Sequence, residues 1–173
     1  MKYQFKPYSD NIIFLDTEFS SLDPYKGEIL SIGLVKLNGD ELYLELEHLG
    51  PVDPWVIKNI IPNLSASKVS RKKAIVRIKK FVGNQKPYII AYVNHYDVTY
   101  VYKLFGNTEK PFFWLPIDFS SILFGYGIDP EGYFPKDKKN FFKEIGIDAS
   151  KYHEHNALDD AKLLREVYLK MSS

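Results

Sequence analysis

The sequence contains no cysteine. Disulfide frameworks, thiolate zinc sites and cysteine nucleophiles are therefore excluded, and any metal chemistry must use oxygen or nitrogen ligands. Charge of one sign is also lacking: 23 Lys and Arg against 22 Asp and Glu leave a formal net charge of +1. A global footprint for a polyanion is missing, so any phosphate binding falls to local patches or to bound cations. No apolar run approaches the ~20 residues needed to cross a bilayer. The opening residues, MKYQFKPYSDN, lack the apolar core of a signal peptide, which makes the cytoplasm the expected compartment.

What is present suffices for one domain over residues 1–173. The chain is 45% hydrophobic, enough for a full core without staples. Its 13 Tyr and 12 Phe could stack on bases, but such rings fill cores first. No internal repeat, low-complexity stretch or linker interrupts the pattern.

Residues 11–16 (NIIFLD) form a short apolar strand pattern. Residues 28–37 and 40–47 flank Asn38-Gly39, a two-residue hairpin signal. A short helix is expected over 51–61, opened by Pro and Asp, and a longer one over 66–83. On the latter Ala74, Ile78 and Phe81 share a face, with Arg71, Lys72, Lys73, Lys79 and Lys80 largely elsewhere. Strand 88–93 precedes helix 97–105, which Gly106 stops. A fifth strand is expected around 112–117, weakened by Pro116. Helix 118–124, a loop over 125–137, a helix over 138–145 and a final helix over 157–171 complete the chain. A three-strand meander followed by alternating helices and strands predicts an α/β sandwich on a mixed sheet.

Three acidic sites stand out. Side chains two apart in a strand share a face, so Ile12, Phe14, Asp16 and Glu18 line up, and an apolar face ends in two carboxylates. Such neighbours repel and lose hydration, a cost a divalent cation removes. A strand ending in a solvated acidic loop is the plainer reading. Asp97 would sit at N3 of a helix capped by Asn94, favourable to its dipole. It also shares a face with Val101 and Leu104, which aims it inward. In His155-Asn156-Ala157-Leu158-Asp159-Asp160, Asn156 is a good N-cap and Asp159 a capping residue. Asp160 heads the apolar stripe of Leu164, Val167 and Met171, where a carboxylate needs a partner or a metal. His153 has no supporting pattern. Each acid falls at the end of a strand or the start of a helix, where open α/β sheets bind ligands. Oxygen ligands without sulfur select hard ions such as Mg²⁺ or Mn²⁺.

DTEF, NHYD and HNALDD, in that order, resemble the three motifs of the DEDDh 3′–5′ exonuclease superfamily. The resemblance spans about residues 11 to 171. DTEF, the PWVIKNIIPNL segment and the length look most like the small bacterial exoribonucleases of the RNase AS type. The resemblance implies a ribonuclease H-like fold with a five-stranded mixed sheet flanked by helices. It implies Asp16, Glu18, Asp97 and Asp160 as ligands of two Mg²⁺ or Mn²⁺ ions, and His155 as general base near neutral pH. It further implies a 3′–5′ exonuclease on single-stranded nucleic acid, RNA favoured, releasing nucleoside 5′-monophosphates, with a homodimer as the assembly of RNase T and RNase AS relatives.

Where many members of the superfamily carry Thr-Thr-Gly-Leu after the motif's Glu, this chain has Phe19-Ser20-Ser21-Leu22, so Phe19 or Leu22 would stack on the terminal base or simply pack. Thr17, Phe19, Ser20, Leu22, Asn94 and Tyr96 are the residues expected to touch the strand. Lys and Arg within 68–80, and Lys136, Lys138 and Lys139, are candidate backbone contacts or a plain solvated face. DNA as substrate, a catalytically silent binding module and an endonuclease on the same fold are the rivals. The last two fit less well with all five motif residues present and with a histidine in the third motif.

Overall fold

The computed structural model describes residues 3–130 and 138–172. Five strands form one sheet in the order β3-β2-β1-β4-β5. β1 (Ile12–Phe19), β2 (Ile29–Lys36) and β3 (Glu41–Glu45) are the antiparallel meander, turning at Asn38-Gly39, where Gly39 takes φ +97. β4 (Tyr88–Ala91) runs parallel to β1, and β5 (Ile117–Asp118) parallel to β4. This is the mixed five-stranded α/β sheet expected from the sequence. The helices are α1 (Pro54–Asn59), α2 (Arg71–Val82), α3 (His95–Phe105), α4 (Phe119–Gly125), α5 (Lys138–Ile145) and α6 (Ala157–Met171). Among the described residues no helix is long and apolar enough to cross a membrane.

β1 is apolar without alternation because both of its faces are covered. Ile12 and Phe14 join Phe119, Phe142, Leu164, Val167 and Met171 on the α6 side. Ile13 and Leu15 join Ala74, Ile78, Tyr100 and Val101 on the α2 and α3 side. The buried stripe of α2 ends in Val82 rather than Phe81, which is half-buried beneath the Lys36 ammonium at 4.8 Å.

Several boundaries differ from those expected. β1 runs on to Phe19, carrying both acidic motif residues inside the strand. β4 stops at Ala91 because Val93 turns to φ +53. The fifth strand is only Ile117–Asp118, not 112–117: Pro116 cannot donate to a ladder, and pairing starts just after it. Helix α2 begins at Arg71, because Val69 is held by a bridge to Leu46. Of the loop expected over 125–137, positions 131–137 lie outside the described residues, as does Lys136.

Gly33 decides how α6 reaches the sheet. A Cβ there would lie 2.2 Å from the Ala157 carbonyl oxygen, so only glycine lets the first turn of α6 rest on β2. Gly33 is paired with Asp16 in register. The close approach therefore brings the residues that follow Ala157 against the acidic end of β1. Gly33→Ala is expected to destabilise the protein by roughly 1–3 kcal/mol, the usual cost of overpacking against rigid backbone. A urea midpoint equal to that of the parent would show that α6 shifts off the sheet freely.

Candidate active site

Asp16 and Glu18, on the α6 face of β1, meet Asp160 from the first turn of α6. One carboxylate oxygen from each lies within 4.8 Å of the others. Asn156 caps that helix, accepting from the backbone N–H groups of Leu158 and Asp159 at 3.1 and 3.2 Å. Asp159 turns away, taking the backbone N–H of the exposed His153 at 3.0 Å and meeting its ring Nδ1 at 2.9 Å. That leaves Asp160 as the acid of this pair in the cluster.

Asp97 enters from α3, 5% exposed. Its Oδ1 accepts from the backbone N–H of Thr17 at 2.8 Å and from the Thr17 hydroxyl at 2.7 Å. β4 pairs with β1 only as far as Phe14, so Asp97 takes the edge of β1 that β4 leaves open. It stands outside the three-acid cluster but beside it.

Crowding and burial act on Asp16, Glu18 and Asp97. Burial, then the Asp97, Asp160 and Glu18 charges, push Asp16 well above the usual carboxylate range. Burial, then Asp160 and Asp97, raise Glu18 to about 8. Burial lifts Asp97 to about 7 despite the opposing bonds from Thr17, and the Asp160 charge adds to the rise. Asp16, Glu18 and Asp97, which resist ionisation without a counter-charge, together with the neighbouring Asp160, are a donor set suited to a hard divalent cation.

The cluster opens into a cavity of about 760 Å³, within the usual range of ligand sites. Among the described residues six carboxylates line it, from Asp16, Glu18, Asp53, Asp97, Glu154 and Asp160, together with His155 and no Lys or Arg. His155 holds φ +61 on the turn before α6, and Val93, φ +53, lines the same cavity. A left-handed backbone at a β-branched residue is costly and concentrates at functional sites.

The remaining expected contacts divide. Leu22 lines the cavity, 63% exposed, and Tyr96 lines it too. Phe19 lines it but stacks on Tyr100 at 4.5 Å and on Tyr96 at 5.6 Å. Of the other expected contacts Thr17 lines the cavity, whereas Ser20 and Asn94 do not. The Thr17 hydroxyl is buried and committed to Asp97. Ser20 is buried under the following turn, its oxygen accepting from the Glu28 N–H at 3.0 Å, and Ser21 lines the cavity instead. Asn94 is not among the lining residues; it heads α3 without a side-chain cap, its N–H on Asp118 at 3.2 Å. Sequence reasoning missed Trp55, Val56 and Ile60 of the α1 region as site residues, although their segment had been singled out. They arrive because the register shifts between Glu18 and Phe19. Ile29 then packs on the α3 side while Leu30 joins Val56 and Ile60.

A mixed sheet in this strand order, with acids gathered at the end of its central strand, has the ribonuclease H-like fold. No protein-family model matches the chain. The DNA polymerase III epsilon subunits of Rickettsia prowazekii (strain Madrid E) and Rickettsia typhi (strain ATCC VR-144 / Wilmington) are each 26% identical over 174 residues, covering 92% of this chain and 73% of theirs. Among solved structures, a zinc-bound complex of E. coli exonuclease I with single-stranded DNA matches with a TM-score of 0.68 at 17% identity. Exonuclease I bound to a dT13 oligonucleotide matches at 0.67 and 19%. The chain spans only 40% of the exonuclease I chain. Exonuclease I carries the likeness of fold, and the epsilon subunits carry a likeness of sequence over most of the chain.

Proposed function

We propose that this chain is a metal-dependent 3′–5′ exonuclease releasing nucleoside 5′-monophosphates from single-stranded ends. The observation that carries the reading is the convergence of Asp16, Glu18 and Asp160, with Asp97 beside them, in one cavity with His155. Asp16, Glu18, Asp160 and Asp97 would hold two divalent cations, Mg²⁺ or Mn²⁺. Such cations supply positive charge to a scissile phosphate and acidity to the attacking water. That need is acute here, since among the described residues no Lys or Arg lines the cavity.

His155 takes the proton of the attacking water as the phosphodiester breaks and the 3′ oxygen leaves. Thr17 fixes the Asp97 carboxylate through two bonds. Leu22 and Tyr96, with the partly packed Phe19, offer apolar surface to the terminal nucleotide. A single-stranded end fits because the terminal phosphodiester must enter the cavity.

RNA is the first reading of the strand. It rests on the RNase AS resemblance, whose PWVIKNIIPNL segment contains α1 and supplies Trp55, Val56 and Ile60 to the cavity. DNA is the second, favoured by relatives that are DNA polymerase subunits and neighbours solved with DNA oligonucleotides. A homodimer belongs to the same proposal and is read by sedimentation.

The test uses 5′-labelled RNA and DNA of one sequence, with Mg²⁺, Mn²⁺ or EDTA, beside Asp16→Ala and His155→Ala. A ladder shortening from the 3′ end is expected, lost with EDTA and in Asp16→Ala and slowed about 10²–10⁴-fold in His155→Ala, and the faster strand decides the substrate. Binding without cleavage would replace this reading with a silent binding module.

A further inference from the structure

We propose that Trp55 is a positioning residue for His155, helping to hold the imidazole in its working orientation from across the cavity. The role given to His155 rests on the exonuclease reading; the contact itself does not.

Trp55 is the second residue of α1 and is 56% exposed. The helix does not need it for packing, because Val56 at 7% and Ile60 just beyond the helix at 1% bury that segment against Leu30. A large aromatic left half in solvent calls for another reason. Its indole meets the His155 ring with centroids 5.2 Å apart and planes at 88°. This edge-on arrangement is a favoured geometry for aromatic pairs. It joins two walls of the cavity, α1 and the turn before α6, that are 100 positions apart in the chain.

His155 has reason to need such a support. Its backbone is held at φ +61, but its side chain is only half-buried, and an imidazole turns broadly about its last torsion. A general base must keep one nitrogen toward the proton it removes. A flat ring standing against the imidazole narrows that torsion without competing for either nitrogen. Phenylalanine could do part of the same work; alanine could not.

The experiment measures kcat and KM for Trp55→Ala and Trp55→Phe on the labelled strand, each in the parent and in His155→Ala. It also records the His155 ring-proton resonances. Trp55→Ala is expected to lower kcat about tenfold, the scale of one such aromatic pair, with KM within about twofold. Trp55→Phe should recover most of the loss. In the His155→Ala background the further loss should vanish, because the two residues act as one unit. The His155 protons should lose their ring-current displacement in Trp55→Ala and keep part of it in Trp55→Phe. A raised KM with unchanged kcat would assign Trp55 to strand binding and overturn the proposal. A kcat loss that persists without His155 would overturn it as well. The two failures are separable: a parent protein without turnover sinks the exonuclease reading, whereas ring protons indifferent to Trp55→Ala sink the positioning.

Discussion

Asp16→Asn should lower kcat by at least about 10²–10³-fold, the scale on which one electrostatic contact at a reacting centre counts, while making the cation-free protein more stable. The amide keeps the shape of the carboxylate and discards its charge. That charge is heavily burdened: burial disfavours it first, then Asp97, Asp160 and Glu18 repel it. An acid whose folded pKa is raised contributes stability that is fully present below its unfolded pKa. That contribution is lost as pH rises through the folded value. Asparagine is neutral throughout and loses nothing. The variant and parent should therefore unfold alike near pH 4, and the variant should gain as pH climbs toward 8. Urea unfolding in EDTA at both values decides it. Equal or lower stability of Asp16→Asn at pH 8 would mean that the cluster does not strain the fold. The exchange of stability for activity would then be absent from this site.

Much of the site was legible because it obeys local periodicity. The two-residue period of β1 put Asp16 and Glu18 on one face, and the helical period of α6 set Asp160 at the head of Leu164, Val167 and Met171. The inward aim of Asp97 followed from Val101 and Leu104, both buried. What escaped was set by contacts distant in sequence. Nothing near Trp55 announces His155, and nothing in the strand pattern shows the register shift that sends Leu30 toward α1. Thr17 and Ser20 sit inside or next to the first motif, which suggested strand contacts, yet both hydroxyls are occupied by partners the motif does not contain. In the fold, the meander and α6 were readable because hairpin and cap signals are local. The fifth strand was overextended because FFWLPI has the composition of a strand, whereas ladder pairing begins only after Pro116.

Cation binding should strengthen steeply with pH and reverse the pH dependence of stability. In the cation-free protein Glu18 titrates at about 8 and Asp97 at about 7, and Asp16 is raised as well. At pH 6 Glu18 and Asp97 largely hold protons that a cation must displace, since only ionised carboxylates bind it well. Each displaced proton weakens binding by up to about tenfold per unit of pH below the group's pKa. Affinity for Mn²⁺ should therefore rise between pH 6 and pH 8 and level off above it, with protons released to the buffer. Calorimetry in two buffers of different ionisation heat counts them. Stability follows the same groups with opposite signs in the two states. Without the cation it falls from about pH 5 to pH 8, as the folded protein must give up protons that the unfolded chain has already lost. With saturating Mn²⁺ the ionised cluster is the bound form, so stability should hold or rise over the same interval. An affinity that does not change between pH 6 and 8 would show that the cation binds away from Glu18 and Asp97, because carboxylates titrating at about 8 and about 7 cannot take up a cation at pH 6 without expelling protons.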